Sequence, residues 1–156
     1  MNNKRTPIIV GGFLAAVLIA LFAWPKINNP NRSLIAAFNA AGIDCMGGHA
    51  RATQHFHPHL TISVDGLTES IPASVGLLNN CMAEIHTHDS TGTLHVESPD
   101  GNKVFYLKNF FNVAGKPFER EGYTVSMTVD GQPNSELGNL ILRDGQQIVL
   151  DYAKRL

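Results

Sequence analysis

Three histidines and three acids stand within EIHTHDSTGTLHVE (84–97), and three more histidines alternate through HFHPHL (55–60). Neutral imidazole is a common ligand for zinc and copper, and a site drawn from several strands can offer three or four ring nitrogens in a fixed array. The pattern predicts a transition-metal site, copper or zinc, with His57, His59, His86, His88 and His95 as its main ligands. His55, Asp89 and Glu97 are further candidates, either as ligands or as groups that orient a ligating histidine.

The plain alternative is that polar residues fill the wet side of a sheet, and a solitary histidine deserves that reading. Here six of the seven histidines fall into period-two sets: His55, His57 and His59; His86 and His88; His95 with Glu97. An internal echo makes the same point, because TISVDG (61–66) returns as SMTVDG (126–131). A shift of 65 sets His55, His57 and His59 against Arg120, Gly122 and Thr124, so the hairpin pattern does not itself demand histidine. A proton-sensing cluster is the next alternative, since grouped imidazoles repel once charged.

The elements that must carry these residues are mostly strands. From Gln54, Phe56, Leu60, Ile62 and Val64 alternate with polar residues, the signature of a half-buried strand. Asp65-Gly66, Asp100-Gly101, Asp130-Gly131 and Asp144-Gly145 are candidates for type I′ hairpin turns, and Asp89-Ser90-Thr91-Gly92 turns the chain between His86/His88 and His95/Glu97. Two stretches have helical spacing. Ser33 caps a helix through Leu34, Ile35 and Phe38 that stops at Gly42, and Leu107, Phe110, Phe111 and Ala114 form a second one before Gly115. The predicted class is α+β, mainly β: a compact, mostly antiparallel sheet domain with one or two short helices, behind a single N-terminal transmembrane helix.

That transmembrane helix is expected over residues 8–24, IIVGGFLAAVLIALFAW, which carries no charge and is just long enough to cross a bilayer. Lys4 and Arg5 lie in the preceding 1–7 stretch, so the positive-inside bias keeps the N-terminus cytoplasmic and sends the rest outward, to the periplasm or cell exterior. A cleaved signal peptide shares this pattern, but Leu21-Phe22-Ala23 offers one small residue where cleavage wants two, which favours an uncleaved signal anchor. Residues 25–32 read as a polar, proline-broken stalk, and 33–156 as the extracytoplasmic domain. The implied partners are the membrane and a membrane protein. The formal charge of −1 excludes the basic excess that nucleic-acid binding requires. Cys45 and Cys81 fall in the exported part, where a disulfide is the expected state; thiolate ligation of Cu(I), with Met46 and Met82, is the alternative.

At HFHPHLTISVDG, IPASVGL, CMAEIHTHDSTGTLHVESP and YLKNFFNVAG, over about residues 43–151, the chain resembles an uncharacterised group of exported, often membrane-anchored bacterial and archaeal domains carrying HxHxHL and HTHDxxGxxHxE. The resemblance implies that His55, His57, His59, Cys81, His86, His88, Asp89, His95 and Glu97 belong to that group's signature, and it supplies no reaction. Cupins fit less well: Glu97 follows His88 by nine residues, where their first motif needs four or five. The reading is a membrane-anchored metal-binding protein for delivery, storage or sensing. The alternatives are a small metalloenzyme, with an open metal position and Glu97 or Asp89 moving the proton, and a metal-free interaction module.

Overall fold

The computed structural model describes residues 31–156. The expected cytoplasmic stretch (1–7), signal anchor (8–24) and stalk up to residue 30 lie outside the described residues. Among the described residues no helix is long and apolar enough to cross a membrane.

The described part is mainly β, with two short helices. Helix α1 (Arg32–Ala40) buries Phe38 and ends at Gly42, whose φ of 73° is the left-handed conformation that glycine adopts without strain. Eleven strands follow: β1 (Cys45–Met46), β2 (Gln54–Phe56), β3 (His59–Val64), β4 (Leu67–Glu69), β5 (Leu77–Leu78), β6 (Cys81–Ala83), β7 (Ile85–His86), β8 (His95–Ser98), β9 (Tyr123–Val129), β10 (Gln132–Pro133) and β11 (Gln147–Lys154). Helix α2 (Leu107–Val113) lies between β8 and β9, with Leu107, Phe110 and Phe111 in the core as the spacing predicts.

Five strands form the largest sheet, in the order β10-β9-β11-β3-β4. Its neighbours are antiparallel except β11 and β3, which run parallel from Gln147↔His59 to Tyr152↔Val64. Alternation governs this sheet. Along β11, Ile148, Leu150 and Tyr152 are buried while their neighbours face out, and Tyr152 Oη donates to the Phe118 carbonyl at 2.7 Å. Two of the four Asp-Gly pairs make the expected mirror-image hairpin turns: Asp65-Gly66 joins β3 to β4 and Asp130-Gly131 joins β9 to β10, all four residues having positive φ. Asp100 and Asp144 do other work. Asp100 Oδ1 accepts from Asn102 N, and Asp144 Oδ1 accepts from His57 N at 2.9 Å.

The expected continuous strand from Gln54 to Val64 divides at His57-Pro58. Proline has no N–H for a ladder, so β2 and β3 belong to different sheets. β2 pairs with β8 in a three-stranded sheet, β2-β8-β7, and a second small sheet runs β1-β6-β5. Cys45 and Cys81 form a disulfide between β1 and β6, with Cα atoms 4.9 Å apart. That takes both thiolates out of the pool of metal ligands.

Candidate metal centre

Register explains why the histidines meet. In an antiparallel pair, residues directly opposite share a face. Across the β2-β8-β7 sheet His55 stands opposite Glu97 and His86 stands opposite His95, so two cross-strand pairs put four polar groups side by side. His57 and His88 each follow such a histidine by two residues, just past the ends of β2 and β7, and their rings turn back onto His55 and His86.

Six of the seven histidines are gathered there. Ring centroids lie 4.4 Å apart for His55 and His57, 4.6 Å for His57 and His95, 4.5 Å for His88 and His95, and 4.9 Å for His86 and His88. The sixth is His49, 5.5 Å from His88 and 5.9 Å from His86. Three sets of donor atoms lie mutually within 4.8 Å: His49, His86 and His88; His55, His57 and His95; and His86, His95 and Glu97.

Glu97 forms the floor. Its carboxylate is wholly buried, 2.7 and 2.9 Å from His49 Nδ1 and 3.1 Å from His55 Nε2. A buried carboxylate needs such partners, because loss of hydration is otherwise uncompensated. The rim is open by contrast: the His49 and His55 side chains are 56% and 46% exposed. An ion can enter from solvent while the floor stays dry.

His86 is the deepest imidazole. Its Nδ1 donates to the Ala83 carbonyl at 2.9 Å, which leaves Nε2 of the neutral ring as an acceptor, 3.2 Å from His88 Nε2. Anchoring one ring nitrogen on a carbonyl is how proteins aim the other at a metal. Nitrogens bound about 2.0 to 2.1 Å from a tetrahedral ion stand roughly 3.3 Å apart. The His86 and His88 pair is therefore already at ligating separation. Burial pushes the His86 pKa down to about 4, and it also lowers that of His95, where His88, His57 and His55 add repulsion. Both rings are held in the neutral form that binds metal. His95 Nδ1 is buried without a hydrogen-bond partner among the described residues.

A polar frame behind the histidines holds them in place. Thr87 points away from the cluster: its hydroxyl donates to the Pro72 carbonyl at 2.8 Å and accepts from Val75 N at 3.1 Å. This pins the chain between His86 and His88. Buried Glu84 accepts from Ser98 Oγ at 2.6 Å and from Asp44 N at 2.8 Å, and pairs with Lys103. Gly92 closes the turn before His95. A Cβ there would stand 2.3 Å from the Leu60 carbonyl oxygen, a contact that no side chain tolerates.

Of the expected ligands, His57, His86, His88 and His95 converge, as do the lower-ranked His55 and Glu97. His59 and Asp89 lie outside these groups. His59 opens β3 of the large sheet, its N–H donating to the Gln146 carbonyl at 2.8 Å. Asp89 is exposed, its Oδ1 accepting from Thr91 N and Thr91 Oγ1 at 2.9 and 2.6 Å, and those bonds hold its carboxyl below the usual range. It shapes the turn. His49 is the addition that sequence reasoning missed: it opens a short 3-10 turn (His49–Arg51) after Gly48, whose φ is 118°. It has no alternating context; the Gly47-Gly48 bend is its one signal.

Comparison of the chain with protein-family models, curated proteins and solved structures found no match. The functional reading therefore comes from the site's own chemistry.

Proposed function

We propose that the chain is a membrane-anchored, extracytoplasmic metal-binding protein that uses its histidine cluster to hold copper or zinc for delivery, storage or sensing. The observation that carries this is the convergence of six imidazoles and one buried carboxylate from separate segments of the chain. A wet polar face would leave these rings apart and in contact with water; instead His86 is wholly buried and His95 Nδ1 lacks a partner. Imidazole-rich sets favour copper and zinc over the hard ions calcium and magnesium, which take oxygen ligands. The disulfide suits an oxidising compartment, in line with export behind the apolar segment at residues 8–24. An open rim over a buried floor suits an ion that must come and go.

Elemental analysis of the purified full chain tests this reading, with and without His86→Ala/His95→Ala. The parent is expected to retain stoichiometric copper or zinc after gel filtration and the variant to lose it. Trace metal at the same level in both would contradict the proposal.

A further inference from the structure

The cluster contains more ligands than one ion uses. A tetrahedral zinc or copper site takes about four donors, whereas six imidazoles and Glu97 meet here, leaving three of them without a role around a single ion. The six imidazoles divide into His49, His86 and His88 on one side and His55, His57 and His95 on the other, while a third set, His86, His95 and Glu97, takes one histidine from each trio. The two trios abut. His86 stacks on His95 with centroids 5.5 Å apart and planes 17° from parallel, and His88 meets His95 edge-on at 4.5 Å.

Glu97 joins them. Its Oε1 lies 2.7 Å from His49 Nδ1 in the first trio and 3.1 Å from His55 Nε2 in the second. A carboxylate with a member of each trio on it can span two cations, which stand about 3.5 to 4 Å apart in two-metal sites. It would also supply the negative charge that two neighbouring cations need, in a place where the other donors are neutral imidazoles.

We infer that the centre holds a pair of first-row transition ions, one on His49, His86 and His88 and the other on His55, His57 and His95, bridged by the carboxylate of Glu97. This rests on the metal-binding reading and extends it from one ion to two. The arrangement makes the two sites interdependent. An ion on either trio displaces that trio's hydrogen bond to Glu97, from His49 or from His55, and leaves the carboxylate beside the other trio for the second ion.

The test is titration of the chelator-stripped full chain with Cu(II), followed by elemental analysis and electron paramagnetic resonance. Two equivalents per chain are expected, with integrated spin intensity falling below half of the bound copper as the second ion couples to the first through the bridge. His57→Ala and His88→Ala each remove one member of a different trio. Each variant should hold one equivalent with full, uncoupled intensity, provided that far-ultraviolet circular dichroism matches the parent. Glu97→Gln should weaken the second equivalent at least about tenfold. Saturation of the parent at one equivalent, or two equivalents with undiminished intensity, would overturn the ion pair while leaving metal binding intact. Failure to bind any equivalent would overturn the metal-binding reading itself.

Discussion

The five-stranded sheet and the small β2-β8-β7 sheet are built by different rules. In the large sheet the register pairs apolar residues inward: Leu60, Ile62, Met127, Ile148, Leu150 and Tyr152 all enter one core. In the small sheet the buried set includes His86, Glu97 and Ser98, and the adjoining Glu84 and Thr87 are buried too. Hydrophobic burial holds the first together, so its local patterns agree with its tertiary role. The second adds Ile85 and Val96 to that core but also buries polar groups, which must be satisfied one by one by hydrogen bonds and ion pairs. Departure from the ordinary pattern marks the place where the chain trades easy stability for chemistry.

Removal of the disulfide should separate the two regions most. Cys45 and Cys81 close a loop with a sequence separation of 36 and tie β1 to β6, the strand that leads into β7, and Cys45→Ser/Cys81→Ser is expected to lower stability by about 3 to 4 kcal/mol. Urea unfolding of parent and variant measures this. Amide exchange should show protection lost first in β6, β7 and β8 while β9 and β11 persist; uniform loss would erase the contrast.

Acid comes next. The His86 pKa is depressed from 6.5 to about 4, so between those values the unfolded chain binds the proton and the folded one does not. Its contribution is fully present above about pH 6.5 and is lost as pH falls towards 4, by about 3 kcal/mol at most. His95, lowered as well, acts with the same sign. Denaturant melts of metal-free protein at pH 7.5, 5.5 and 4.5 should show this slope, and His86→Gln should flatten it. An unchanged slope in that variant would locate the acid sensitivity elsewhere.

The glycines sharpen the comparison at the smallest scale. Gly92→Ala drives a Cβ into the Leu60 carbonyl at a φ of 93°, whereas Gly66→Ala in the β3-β4 hairpin meets open space at a φ of 80°. The second should cost about 1 kcal/mol, the left-handed penalty alone, and the first clearly more, about 2 to 3 kcal/mol. Thermal melts distinguish them, and only Gly92→Ala should also weaken metal retention, because it displaces the turn that sets His95. Equal costs would show that the turn yields without disturbing the site.

Much of the scaffold was legible because it is local. The Asp65-Gly66 and Asp130-Gly131 turns, the helix at Leu107–Val113 and the alternation in β3 need only neighbours in sequence. Parity likewise anticipated that His86 joins His88 and that His95 shares a face with Glu97. The parallel pairing of β11 with β3 was not legible, since it joins segments some 88 residues apart, as in Asp151↔Ser63. Pro58 was in plain sight, yet alternation across it concealed the break that puts His55 on one sheet and His59 on another, with His57 in the link between them. His49 stands in an irregular turn where no periodicity operates, and only tertiary packing brings it onto Glu97.

X-ray absorption at the metal edge of the zinc-loaded full chain is the most direct measurement of whether these rings act as ligands. About three imidazoles per ion, seen as nitrogen scattering near 2.0 Å with the outer-shell pattern of histidine rings, is the expected result. A first shell made of water oxygens, with one imidazole or fewer, would contradict the account.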